Sequence, residues 1–174
     1  MNKFDHIEYW ENRYKNNGTS GNGSYNKEAE VKSQYINNVI QKYNIRTLND
    51  YGHGDGNQLT YIKGFSTYYG FDVSKTARDK CSFHFKNQTN YTFIDDPANF
   101  PQADLAMSLD VIYHIINENS YKDYLTHLFS MGKYILIYAV DDDVTGDAHY
   151  KARKFTPYIK KTFPNFQLLE TINP

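Results

Sequence analysis

Cysteine is nearly absent from this sequence. Cys81 is its only copy, which excludes an intramolecular disulfide and a cysteine-built zinc cluster. Long apolar runs are missing too, so nothing is expected to span a bilayer. The opening Met1-Asn2-Lys3-Phe4-Asp5-His6 is too polar for a signal peptide. A soluble, reducing, cytoplasmic setting is the expectation. An excess of either charge is also lacking, with 19 Lys+Arg against 20 Asp+Glu. No general field draws nucleic acid or an anionic membrane, and neither is expected as a partner. There is no repeat, linker or low-complexity segment, and 174 residues suit one domain, 1–174.

What is present centres on Leu48-Asn49-Asp50-Tyr51-Gly52-His53-Gly54-Asp55-Gly56-Asn57. A short apolar run closes on an acid, and three glycines at alternate positions forbid its continuation as a strand. Glycine admits positive φ and lets a ligand approach the backbone. A dinucleotide fingerprint needs a third glycine at position 57, where Asn57 stands, and a P-loop needs Gly-Lys-Ser/Thr, which does not follow. The pattern acid-x-Gly-x-Gly-x-Gly resembles the first motif of class I S-adenosylmethionine-dependent methyltransferases.

The remaining chain reads as alternating helices and strands. Residues 1–25 are a polar, aromatic cap ending in a Gly/Ser loop. Asn26 to Tyr43 reads as a helix with Val31, Tyr35, Val39 and Tyr43 on one stripe, flanked by Ile36 and Ile40. A short helix to Lys63 follows the glycine turn. Strands are expected at 66–72, 91–94, 104–110, 134–140 and 166–172. Ser74 caps a helix on which Ala77, Cys81 and Phe85 face the core; Ser120 and Asp123 cap a second, stopped by Gly132, and a third covers 154–162. Such alternation predicts a doubly wound, mostly parallel, Rossmann-like α/β sheet, whose ligands bind at the carboxyl ends of the strands. Asp50, Asp72, Asp95 and Asp110 all fall at such ends.

S-adenosylmethionine presents an amino group, a ribose diol and an adenine edge to those acids. Asp50 suits the amino group, Asp72 the ribose hydroxyls and Asp95 the adenine amino group, with Val73 or Ile94 against the ring. Gly52 and Gly54 let the ligand reach the main chain. Tyr9-Trp10-x-x-Arg13-Tyr14, Gly18-x-Ser20-Gly21-x-Gly23-Ser24, the glycine turn, Gly70-x-Asp72-Val73-Ser74 and Ser108-Leu109-Asp110-Val111-Ile112-Tyr113-His114 occur in that order. Together they resemble a group of small class I methyltransferases of bacterial and large-virus genomes, often linked to glycosyltransferases. The resemblance implies the seven-stranded methyltransferase fold, S-adenosylmethionine as cofactor with S-adenosylhomocysteine as product, and O-methylation of a sugar such as a deoxyhexose in a glycan or nucleotide sugar. It implies that Trp10, Arg13, Ser20 and Gly21 close over the methionine end, and that Ser108 and Leu109 face the sulfonium. A glycosyltransferase partner is implied as well. His53 departs from the pattern by filling a position usually held by a small residue, and the sequence leaves no room for the last, antiparallel strand.

A sugar hydroxyl needs a base to draw off its proton. Asp110 is the first choice, with His114 and His149 as alternatives, and Arg153 as a holder of the acceptor. Asp141-Asp142-Asp143 is read as a solvated turn, and no metal is expected. An N-methyltransferase and an inactive cofactor-binding or partner-binding fold are the alternative readings.

Overall fold

The computed structural model describes residues 4–146 and 149–172. Five parallel strands form the main sheet in the order β3-β2-β1-β4-β5: β1 (Thr47–Tyr51), β2 (Thr67–Phe71), β3 (Tyr91–Phe93), β4 (Ala103–Leu109) and β5 (Gly132–Tyr138). β1 pairs in register with β2 on one side and β4 on the other, so the strand order reverses at β1/β4, beside the glycine turn. Two-residue strands β6 (Val144–Thr145) and β7 (Lys151–Ala152) form a separate antiparallel pair. The helices are α1 (His6–Lys15), α2 (Asn26–Lys42), α3 (Lys75–His84), α4 (Glu118–Ser130) and α5 (Phe155–Thr162). No helix among the described residues is long and apolar enough to cross a membrane.

β4 explains why the sheet is covered on both faces. Its side chains alternate: Leu105, Met107 and Leu109 enter a core with Ile36 and Ile40 of α2, while Ala106 enters a second core with Leu125 and Leu128 of α4. Both layers are dry, with Leu105, Met107, Leu125 and Leu128 at most 1% exposed.

Four expectations need correction. The buried face of α2 is Ala29, Lys32, Ser33, Ile36 and Ile40, whereas Val39 and Tyr43 only flank the core. The polar pair on that face is matched: Gln58 donates to Ser33 Oγ at 2.6 Å, and Lys32 is ion-paired. α4 is capped by Asn117, whose Oδ1 accepts from the amides of Asn119 and Ser120, so its start precedes Ser120 and Asp123. The segment after the glycine turn is a 3-10 turn, Gln58–Tyr61, too short for an α-helix. No strand forms at 166–172. Phe166 instead packs edge-on against Phe129, Glu170 accepts from Lys42 and Tyr43, and Leu168 and Leu169 stay exposed. Strand propensity depends on context, and here side-chain contacts take the place of a ladder. The main sheet therefore has five strands where the resemblance implied seven.

Candidate active site

A cavity of about 430 Å³ opens where β1, β2 and β4 end, walled by α1 and α4. The glycine turn is its floor. Gly52, Gly54 and Gly56 take φ of +105°, +60° and +81°, a region that disfavours residues with a Cβ. All three positions are also closely approached, Gly56 by Cys81 and Phe85. A Cβ on Gly52 would stand 2.5 Å from Val111 of the β4 turn, and one on Gly54 would collide with the Ser20 hydroxyl. Ser20 is docked there reciprocally: its amide donates to Asp55 Oδ2 at 2.8 Å, and the Asp55 amide donates to its Oγ at 2.9 Å. Tyr25 adds a second bond to the same carboxylate. The loop following α1 is thus fastened to the glycine turn.

Asp50 lies 3% exposed, with Oδ2 accepting from the Tyr68 hydroxyl at 3.0 Å and Oδ1 without a partner. Burial pushes its carboxyl up to about 7, against the opposing Tyr68 hydrogen bond. Asp72 accepts from the Gly54 amide at 3.0 Å and the Ser74 amide at 2.8 Å, bridging the ends of β1 and β2. Burial raises its pKa too, and neighbouring His53 opposes that rise. His53 holds the Gly54 carbonyl at 2.8 Å through Nδ1. A carbonyl oxygen only accepts, so in the neutral ring Nδ1 carries the hydrogen and Nε2 the lone pair. Burial lowers the His53 pKa, and its Nε2 has no partner. Cys81 sits under the turn, fully buried, with its thiol pKa raised by burial; it is a core residue, as its spacing predicts.

At the β4 end Asp110 adopts φ +60°, a conformation Asp tolerates better than most residues. Both carboxylate oxygens are engaged. Lys32 Nζ pairs with Oδ2, and the Tyr113 hydroxyl donates to Oδ1 at 2.9 Å. His114 follows on a short 3-10 turn, and its Nδ1 lies 2.9 Å from the His149 carbonyl, which again leaves Nε2 as the acceptor nitrogen. Burial lowers the His114 pKa, so the ring is neutral near pH 7. Trp10, His149 and Tyr113 surround it at ring distances of 5.0, 5.8 and 4.6 Å.

Of the residues expected at the site, Trp10, Ser20, Asp50, Gly52, Gly54, Asp72, Val73, Leu109, Asp110 and His114 line the cavity. Arg13, Gly21, Asp95, Ser108 and His149 do not. Arg13 donates to the Thr19 carbonyl at 2.5 Å and lies over the Trp10 ring. Ser108 is fully buried beneath, taking the Tyr124 hydroxyl at 2.8 Å. Asp95 is exposed, and the β3 end reaches the cavity through Pro97. The His149 ring stacks on Tyr9 and His114, and its carbonyl holds His114 Nδ1. Arg153 binds the carbonyls of Ile115 and Ile116 and Glu118, which makes it a structural tie. Asp141 caps α5 by accepting from Phe155 and Thr156. No group of three metal-ligating side chains occurs among the described residues.

Two residues escaped the sequence reading. Lys32 sits four residues before Ile36 and eight before Ile40, a spacing that marks its burial. Glu11 of α1 accepts from Ser74 Oγ at 2.6 Å and from the Thr76 amide and hydroxyl, clamping the cap to the start of α3. Those bonds, led by Ser74, pull its carboxyl down to about 2.

No family model and no curated protein matches the chain. Many solved structures do match. The N-methyltransferase NodS from Bradyrhizobium japonicum, crystallised with S-adenosylhomocysteine, is 15% identical at a TM-score of 0.60, covering 74% of this chain and 68% of that one. The methyltransferase domain of bacterial CtHen1-C gives 17% identity and a TM-score of 0.63, covering 80% and 85%. Magnesium protoporphyrin IX methyltransferase from Synechocystis, with S-adenosylmethionine bound, gives 16% and 0.59, covering 95% and 87%. Two further structures are matched over about half their own length. At these identities the likeness is one of fold. The chain has the Rossmann-like fold of class I methyltransferases.

Proposed function

We propose that this protein is an S-adenosylmethionine-dependent methyltransferase that methylates a hydroxyl, with His114 as general base. The cofactor reading rests on the cavity floor. Asp50 offers an unpartnered buried carboxylate oxygen suited to a cationic amino group, and the side-chain-free backbone at Gly52 leaves room for close approach. Asp72 is placed for a diol, with acceptor capacity beyond its two amide bonds. Bound there, S-adenosylmethionine would supply an electrophilic methyl on a sulfonium, without metal or redox chemistry.

The single observation that carries the hydroxyl reading is the His114–His149 carbonyl bond. It orients a neutral imidazole with its lone pair on Nε2, in a ring that lines the cavity. His114 takes the hydroxyl proton at Nε2 as the oxygen becomes nucleophilic, typically a gain of roughly 10²–10⁴-fold. Asp110 is the poorer base because both its oxygens already have donors. It serves as an anchor. Trp10 and Tyr14 line the cavity from α1.

A sugar hydroxyl is the first acceptor to test, through transfer of labelled methyl to nucleotide sugars, free glycans and small amines. Labelling of hydroxyl acceptors, lost in His114→Ala, is expected. Labelling of amines alone, undiminished in that variant, would overturn the hydroxyl reading.

A further inference from the structure

We propose that Lys32 is a positioning residue of this site, acting through Asp110 to hold the turn that carries His114 into the cavity; this rests on the methyl-transfer reading above. Lys32 lies on α2, outside the cavity wall, and is 1% exposed. A buried ammonium is retained only where a partner compensates it, and a leucine or methionine would extend the Ile36–Ile40 face without that cost. Its partner is the carboxylate on which the end of β4 turns.

The connections run in one direct chain. Lys32 Nζ pairs with Asp110 and lies 4.8 Å from the Tyr138 ring centre, tying α2 to the ends of β4 and β5. Asp110, at φ +60°, donates its amide to the Tyr138 carbonyl at 2.9 Å and breaks the strand there. Val111 then packs against Gly52 of the glycine turn, and Tyr113 returns its hydroxyl to Asp110. The His114 amide closes the turn on the Val111 carbonyl at 2.9 Å. Gly23 covers the ion pair: a Cβ there would lie 3.0 Å from Asp110 Oδ2 and 3.8 Å from Lys32 Nζ. Release of Lys32 therefore frees the carboxylate, the left-handed bend and the imidazole together.

The test uses Lys32→Met, Lys32→Arg and the double variant Lys32→Gln/Asp110→Asn. The double variant removes the ion pair without stranding a buried charge, and asparagine tolerates the left-handed bend. Two readouts are the titration of the His114 ring by NMR, assigned with His114→Gln, and calorimetric affinity for S-adenosylhomocysteine. Asp110, His149 and Arg13 supply the charges facing that ring, and Tyr113 packs on it. Lys32→Met should bring the His114 midpoint back up toward about 6.5, and the double variant, which also loses the Asp110 charge that raises it, should move it less. Both should weaken ligand binding about tenfold, and Lys32→Arg should keep most of each. Wild-type titration in Lys32→Met would overturn the inference, and so would wild-type affinity in a folded double variant. So would its failure to fold, because Lys32 would then serve the whole fold and not the turn. If the wild type binds no S-adenosylhomocysteine, the cofactor reading fails while the titration still decides the role of Lys32.

Discussion

The cavity has two sides built in different ways. The β1–β2 side, with Asp50, the glycine turn and Asp72, is assembled from residues within 25 positions of one another, and local bonds such as Gly54 amide to Asp72 hold it. The β4 side, with Asp110, Tyr113 and His114, is held by Lys32, which lies 78 positions earlier on α2. A floor made of strand ends and glycine backbone holds its acids locally, with Ser20 and Tyr25 fastening the turn from outside. A turn that must present one imidazole depends on a distant helix.

That contrast is broken most severely by Lys32→Met. Leaving Asp110 unpaired beside an apolar face should cost about 3 kcal/mol in urea unfolding, the low end for a buried pair because that carboxylate keeps some solvent contact. A loss below about 1 kcal/mol would mean the pair is a surface contact in effect. Asp72→Ala probes the other side. It removes the acceptor of two buried amides, so about 2 kcal/mol of stability should go, and affinity for S-adenosylhomocysteine should fall with it while the His114 titration stays unchanged. Movement of His114 in that variant would show the two sides to be one unit.

Which parts could be read in advance follows the same division. That Asp50, Gly52, Gly54 and Asp72 would meet at one cavity was legible because strand, turn and acid are adjacent in the chain and the ligand rule for open sheets is topological. Ser74 was legible as a cap for the same local reason, and its side chain does accept from the Ala77 amide. Lys32 was not: its spacing to Ile36 and Ile40 marks the buried face, but the carboxylate that pairs it lies 78 positions away, just past β4. Glu11 met the same difficulty: its partners Ser74 and Thr76 lie more than 60 positions away. Phe166 to Ile172 misled because its apolar residues suit a strand, while in the fold they and Glu170 make side-chain contacts to α4 and α2 instead of a ladder.

Further effects come from pH. The Glu11 clamp has a depressed carboxyl, so its stabilisation is present above the ordinary value of about 4.5 and is lost as pH falls toward about 2. Glu11→Gln should cost about 1 kcal/mol at pH 7 and remove that acid-limb dependence, measured by thermal unfolding between pH 2 and 6. Asp50 acts with the opposite sign. Its raised carboxyl binds a proton in the folded state that the unfolded chain has already released. Stability should therefore fall as pH rises from about 4 to about 7, by at most about 1.4 kcal/mol per pH unit. Asp50→Asn should flatten that slope, and an unchanged slope would place the titration elsewhere.

Binding of S-adenosylmethionine on the glycine-turn floor is tested by titrating S-adenosylhomocysteine into the intact, folded protein in a calorimeter. One saturable site is expected, weakened in Asp72→Ala and in Gly54→Ala, whose added methyl collides with Ser20. No binding by the folded wild type, or full affinity in both variants, would contradict it.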